Sequence, residues 1–287
     1  VDAPAFLYKT AAGRLLLKPL VRRGVSRLAG RLLDLPASKL LIGGFVRRTG
    51  IDTREYDLSD IRCFNDFFSR PIKPGMRPVD EDPAALIAPC DALLTAVPVR
   101  SGTVLNVKQS RWSVARLLGD PELAGEFEDG WCLVFRLCVG HFHRYCYFDS
   151  GEKGENVFIP GKLHTVRPVA LEGIPVFTEN CREYVRIDSD GFGLAVQAEV
   201  GAMLVGHIVN NEPGPGHVRR GEEKGRFEYG GSTILLLLRK DAAELRGDIL
   251  RASAAGTETP VRLGERIGVR AGRASPLSGS GDAGQKA

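Results

Sequence analysis

The 287-residue chain contains no run of eighteen apolar residues, so no transmembrane helix is expected. No signal-peptide pattern with a cleavage site precedes the body. The six cysteines, Cys63, Cys90, Cys132, Cys138, Cys146 and Cys181, include no C-x-x-C pair, which removes a zinc site of the usual spacing. Without a secretion signal they read as reduced thiols of a cytoplasmic protein. Gly-x-Ser-x-Gly, the elbow of many serine hydrolases, is missing, and no segment repeats at a fixed period. Acidic residues are scarce at one end only. Residues 1–50 carry ten Lys/Arg and two Asp, net +8; the whole chain is +4, so residues 51–287 sum to −4. The basic character therefore belongs to the N-terminus, and no nucleic-acid partner is expected for the body.

What is present is an ordinary globular composition, 43% hydrophobic and 26% charged. The 34 glycines and 17 prolines favour a turn-rich, strand-rich body over a helical bundle. Residues 14–33 read as a helix whose stripe is Leu17, Val21, Val25, Leu28 and Leu32, with Pro19 marking its start or a kink. Basic residues flank this stripe, a pattern suited to an anionic membrane surface; a helix packed on its own body with solvated arginines is the alternative. Leu40–Val46 is a second helical segment. Ile61–Arg70 is a third, with Phe64, Phe67 and Phe68 on its core face. Residues 70–80 form a proline-pinned linker. From residue 85 short apolar runs appear at 85–88, 93–99, 131–139, 145–148, 157–159, 194–200, 203–209 and 234–238, separated by Gly, Pro and Asp/Asn clusters. Ser113–Leu118 is the one helix expected among them. The fold class is α+β, a mainly antiparallel β core with N-terminal helices.

Chemistry concentrates in a few stretches. Gly230-Gly231-Ser232-Thr233 puts a hydroxyl where a glycine turn enters the buried strand Ile234–Leu238. Such a hydroxyl can attack its own preceding carbonyl, that of Gly231; on these four residues alone, a plain turn with a serine capping the strand is the commoner arrangement. Asp91, in Pro89-Cys90-Asp91, is either a turn former or a carboxylate that orients a histidine. His141 and His143 stand two apart and share a strand face, but no third ligand accompanies them, so no metal is expected.

Lys224-Gly225-x-Phe227-x-x-Gly230-Gly231-Ser232-Thr233 resembles the processing site of phosphatidylserine decarboxylases. Phe67-Phe68-x-Arg70 followed by Lys73-Pro74-Gly75-x-Arg77-Pro78 is similar to the same family. So are Phe142-His143-Arg144, Gly161 to Val166, Phe177-x-x-Asn180-x-Arg182 and Val200 to Gly206. In order, these matches span Phe67 to Leu238, about 170 residues. Asp91 matches the family's Asp, with Ala92 in place of the following Gly. His143 falls on the family's His. Cys146 stands where many members carry a second His, and His141 where an acidic residue is usual.

The resemblance implies a pyruvoyl-dependent enzyme that cleaves its own Gly231–Ser232 bond, Ser232 becoming the covalent pyruvoyl group. It implies decarboxylation of phosphatidylserine to phosphatidylethanolamine by a heterodimer of large and small processed chains. On this reading His143, oriented by Asp91, is the base for Ser232 and later the proton donor, with His141 and Cys146 as candidates to assist. The expected organisation is a basic, membrane-associating helical segment at 1–50 and a catalytic β-rich domain at 51–251 holding the 231/232 cleavage site. Residues 252–271 form the C-terminal end of that domain and 272–287 a disordered tail. The expected location is the cytoplasmic face of the cell membrane, peripherally bound. A pyruvoyl decarboxylase of another amino acid, an unprocessed serine hydrolase and a non-catalytic β-rich membrane module are the competing readings.

Overall fold

The computed structural model describes residues 3–100, 105–107, 110–165, 170, 175–202, 208–228 and 232–272. Four helices open the chain: α1 (Ala3–Lys9), α2 (Ala11–Leu20), α3 (Arg23–Leu33) and α4 (Leu40–Thr49). The expected single helix over 14–33 is thus two. Pro19 lies in the last turn of α2, and the chain leaves the helix at Val21. The break turns the stripe into two faces. Leu17 and Val21 are buried, and Val21 accepts a hydrogen bond from the Leu163 backbone; Leu28 and Leu32 are 61% and 57% exposed. Among the described residues no helix is long and apolar enough to cross a membrane.

Helix α5 (Phe64–Phe68) begins at a capping box in which Cys63 and Asp66 satisfy each other's backbone amides. Its three phenylalanines are buried against Phe45 of α4 in a small aromatic core, with the Phe45 and Phe64 rings edge to face at 5.1 Å.

The body is β. In chain order its strands are β1 (Ala85–Ile87), β2 (Ala92–Pro98), β3 (Leu105–Val107), β4 (Ser110–Trp112), β5 (Trp131–Leu137), β6 (Arg144–Cys146), β7 (Gly151–Lys153) and β8 (Val157–Ile159). They continue with β9 (Arg182–Ser189), β10 (Gly193–Val200), β11 (Ile208–Asn210), β12 (Gly216–Val218), β13 (Glu223–Phe227), β14 (Ser232–Leu238), β15 (Ala243–Leu245), β16 (Thr259–Val261) and β17 (Arg266–Arg270). The main sheet runs β12-β7-β9-β10-β14-β5-β2-β16, with β8 also on β9, and its ladders are antiparallel. A second sheet, β11-β13-β6, lies over one of its faces; β1-β17-β15 forms a third.

Strand β14 sits at the centre of the main sheet and is buried along its whole length. Ile234, Leu236 and Leu238 face a core shared with Leu133, Phe135, Leu137, Tyr145 and Phe227. Leu235 and Leu237 face the opposite core with Cys132, Val134, Val196 and Ala198. Burial on both faces is why this stretch reads as an unbroken apolar run. Helix α6 (Val114–Leu118) is the expected one, with the Ser113 hydroxyl accepting from the Arg116 amide as its N-cap. Beyond it come α7 (Pro121–Gly125), α8 (Val176–Glu179) and α9 (Gly247–Ala254). Residues 252–271, weak in pattern, supply β16 to the main sheet and β17 to the third. Residues 203–207 of the expected strand, and 273–287 of the expected tail, lie outside the described residues.

Candidate active site

Ser232 is the first residue of β14, paired in register with Leu137 at the end of β5. Its side chain is fully buried, and its Oγ has no hydrogen-bond partner among the described residues. Gly230 and Gly231, and with them the expected cleavage bond, lie outside the described residues. What leads into that bond is well anchored: Phe227, the last residue of β13, donates its amide to the His143 carbonyl at 2.9 Å. The chain therefore passes from beside His143 to Ser232 in five residues.

The end of β10, beside β14, is held by the Asn-x-Arg turn. Asn180 is wholly buried; its amide donates to the Gly201 and His164 carbonyls at 2.7 and 2.8 Å and its Oδ1 accepts from the His164 amide. Arg182 donates to the carbonyls of Leu117, Thr178, Asn180 and Arg116, tying α6 and α8 to the start of β9. These bonds fasten the end of β10 and the start of β9 to the segments around them.

His143 is buried, its ring packed on that of Phe68 at 4.0 Å. Its Nδ1 lies 2.8 Å from the His141 carbonyl. A carbonyl only accepts, so Nδ1 carries the proton and Nε2 is the basic nitrogen of the neutral ring. The Phe67-Phe68-x-Arg70 motif grips this loop: the Arg70 guanidinium stacks over Tyr56 at 4.0 Å and donates to the Gly140 carbonyl, while Arg144 donates to the Ser69 carbonyl.

Asp91 is placed differently from the expectation. Its carboxylate takes a bidentate fork from Arg77, at 2.6 and 2.8 Å, and the Leu263 amide at 2.9 Å. Arg77 also pairs with Glu55 at 2.9 Å. Asp91 therefore does not orient His143 through Nδ1; a backbone carbonyl does. Asp91 instead neighbours His141, whose Nδ1 accepts from the Cys138 amide at 3.2 Å. Burial pushes the His141 imidazole below its ordinary pKa, opposed by the Asp91 charge. Cys146 is buried beside Ala85 and Ile87, and burial pushes its thiol up to about 12. It stays protonated and cannot act as a base. Nor does His143 hydrogen-bond the Ser232 hydroxyl, since that oxygen is unpartnered.

One feature of the core was not anticipated. Lys224 on β13 and Glu199 on β10 form an ion pair at 2.7 Å with both side chains 0% exposed. Lys224 also donates to Asn210 Oδ1, as does the Tyr145 hydroxyl; Asn210 in turn donates to Glu183, which accepts from Asn156. Glu199 keeps a second oxygen, Oε1, buried and without a partner among the described residues. In the sequence Gln197 and Glu199 alternate with apolar residues, the signature of a solvent-facing edge. Only the second sheet lying over that face makes them interior.

A cleft of about 840 Å³ opens beside this loop, lined by Arg48, Arg77, Asp91, His141 and Arg262 among others. Among the described residues no cluster of three or more His, Cys, Asp or Glu could hold a metal.

A buried serine at the head of a core strand, five residues after a strand end bonded to the His143 carbonyl, is an arrangement suited to an enzyme's nucleophile. The phosphatidylserine decarboxylase family model matches residues 64–269. The chain is 39% identical over 264 residues to phosphatidylserine decarboxylase proenzyme 2 of Clostridium acetobutylicum, covering 92% of this chain and 90% of that protein. It is 39% identical over 267 residues to the phosphatidylserine decarboxylase proenzyme of Ruminiclostridium cellulolyticum, covering 91% and 89%. The Clostridium perfringens proenzyme is 36% identical over 266 residues, covering 91% and 90%. The chain belongs to the phosphatidylserine decarboxylase family and is a decarboxylase.

Proposed function

We propose that the chain is a proenzyme that cuts itself between Gly231 and Ser232, carries a pyruvoyl group at residue 232, and converts phosphatidylserine to phosphatidylethanolamine at a membrane surface. The observation that carries this is Ser232: a buried hydroxyl without a partner, at the head of a central strand, in the processing motif. The residue fits the group it would become. A ketoacyl group is smaller in hydrogen-bonding demand than a serine with a free amine, and the enclosed start of β14 excludes water around it. Once formed, the group supplies the electron sink that loss of carbon dioxide from an amino acid requires.

The chain's own residues do the rest. His143, with Nδ1 committed to a carbonyl, would take a second proton on Nε2 and return it to the substrate α-carbon in place of the lost carboxylate. Asp91 and Arg77 hold the 89–91 corner against the His141 loop and act as positioning residues. The neighbouring cleft, with arginines and carboxylates together, suits a headgroup carrying phosphate, carboxylate and ammonium. The small chain would be 287 − 231 = 56 residues and stays woven in, because β14 pairs with β10 on one side and β5 on the other.

The N-terminal helices supply the membrane contact. Leu15, Leu16, Leu28, Leu32, Leu40 and Leu41 are exposed, Leu40 at 88%, and basic residues including Arg14, Lys18, Arg31 and Arg47 are exposed on the same helices. Each base near an anionic surface is worth about 1 kcal/mol. These features support a peripheral location on the cytoplasmic face of the cell membrane. The deciding experiment is intact mass of the purified protein beside Ser232→Ala. Two chains with a blocked second N-terminus in the parent, and one chain in the variant, are expected; an active enzyme that remains one chain overturns the reading.

A further inference from the structure

Self-cleavage at Ser232, on which this inference rests, needs a group to take the hydroxyl proton. The buried imidazole of His143 is not hydrogen-bonded to Ser232 Oγ, and the Cys146 thiol remains protonated. The β10–β14 register supplies another group. Glu199 stands opposite Ile234, and Val200 opposite Thr233. Side chains alternate along a strand, so Ser232 and Ile234 share a face, and Glu199 belongs to it: its neighbours at Val196, Ala198 and Val200 pack into the opposite core. Glu199 is therefore the diagonal cross-strand neighbour of Ser232. Diagonal neighbours on one ladder face stand about 7–8 Å apart, within reach of a long side chain or of one bridging water.

Each of the two residues is fully buried, and each presents an oxygen without a partner among the described residues: Ser232 Oγ and Glu199 Oε1. The other Glu199 oxygen is held by Lys224 at 2.7 Å and lies 3.4 Å from the Asn210 amide. Burial raises the Glu199 carboxyl and the Lys224 charge opposes that rise, and Asn210 continues the hydrogen bonds to Glu183, which is partly open to solvent. A structural ion pair would have both carboxylate oxygens satisfied, since an unsatisfied buried charge is costly.

We infer that Glu199 is the proton acceptor for Ser232 in the first step of maturation, with Lys224 as its positioning residue. The Ser232 O–H bond breaks and its proton passes to Glu199. The oxygen pair forms a bond to the Gly231 carbonyl carbon, the Gly231–Ser232 C–N bond breaks, and the proton moves from Glu199 to the departing nitrogen. The product is an ester of unchanged composition; the later loss of the α-proton, and the water that releases ammonia, follow from it.

The test is the time course of cutting on denaturing gels for the parent, Ser232→Ala, Glu199→Gln, Glu199→Asp and the double variant Glu199→Leu/Lys224→Met. Each uncut chain is also treated with hydroxylamine, which cleaves an ester but not the amide. Glu199→Gln is expected to slow cutting at least about 100-fold, the usual lower bound for general acid–base help, and its uncut chain should resist hydroxylamine. Glu199→Asp should cut at an intermediate rate. The double variant, whose apolar pair removes the buried charges together, should fold and stay uncut. Glu199→Gln or the double variant cutting at the parental rate overturns the inference, as does hydroxylamine-sensitive chain accumulating in Glu199→Gln, which would place the block after the ester. A parent that never cuts, or a Ser232→Ala that does, would instead overturn the proposed function itself.

Discussion

Lys224→Met, made in a Ser232→Ala chain so that cutting does not intervene, isolates what the buried ion pair does for the fold. Lys224 and Glu199 are 0% exposed, and removing the ammonium leaves a carboxylate with one weak amide contact from Asn210 at 3.4 Å. Breaking a buried pair from one side costs roughly 3–5 kcal/mol. The Asn210 amide can turn toward the carboxylate, so the lower end, about 3 kcal/mol, is expected. Glu199→Leu/Lys224→Met, which removes both charges, should lie within about 1 kcal/mol of the parent or above it. The loss must also depend on pH. Burial raises the Glu199 carboxyl, and Lys224 pulls it back down; without Lys224 it rises further. The folded variant then holds a proton that the unfolded chain has released, so its stability is greatest below the unfolded value and falls as pH rises through the folded one. The other groups near Glu199 include Glu183 on β9, Tyr145 on β6, Tyr147 just beyond it and Cys90; Glu183 adds to the rise, while the tyrosines and the thiol stay neutral, their own values pushed up by burial. Equilibrium urea unfolding at several pH values measures this. A deficit below about 1 kcal/mol, or one that does not shrink on acidification, refutes the reasoning.

Three further outcomes are expected. His143→Ala should still be cut, as read on a gel, yet form no phosphatidylethanolamine from phosphatidylserine, because its imidazole is assigned to returning the substrate proton; an uncut His143→Ala chain would return it to the cleavage step. Cys146→Ala should mature at the parental rate, since a thiol pushed up to about 12 is not ionised near neutrality; a severalfold slowing on the same gels would show otherwise. Removing residues 1–34 should weaken flotation with anionic vesicles, as should raising salt past the point where the Debye length falls below about 8 Å; flotation indifferent to both would remove the membrane role.

How much of this was legible in the sequence depends on how local each signal is. The serine, its glycines and the strand after them are contiguous, so the site's anchor could be read directly. The long strands 131–137 and 193–200 were legible for the same reason, being apolar or alternating over seven or eight residues. Strand β9, Arg-Glu-Tyr-Val-Arg-Ile-Asp-Ser, was not: its charged residues hide a sheet position whose pairing lies entirely with β10, β7 and β8. The orientation of His143 was misread because its partner is a main-chain carbonyl, which carries no residue signature. Asp91 was expected at that nitrogen, but Arg77, drawn in by the proline-pinned linker, claims the carboxylate through a two-bond fork. The Lys224–Glu199 pair escaped notice because each residue is polar in its own strand; only the stacking of two sheets makes it interior.

The position of Ser232 also explains why proton handling has to be done by protein groups. Strand β14 is bonded on both edges, and its residues are buried along their whole length. A cut at its head therefore frees no strand, and the new terminus stays where the reaction occurs. Such enclosure lowers the local dielectric, which strengthens each charge placed there and excludes solvent as an acceptor. On the proposed function, maturation and turnover both move protons at this one residue. The fold brings two sets of groups toward it from different elements: the His141–His143 loop, gripped by Arg70 and Phe68, and the Glu199–Lys224 pair bridging β10 and β13. Because the two sets hang on separate strands, one can serve the cut and the other the substrate without sharing a single imidazole. On that proposed division, Cys146 can be a protonated core thiol without loss of either step.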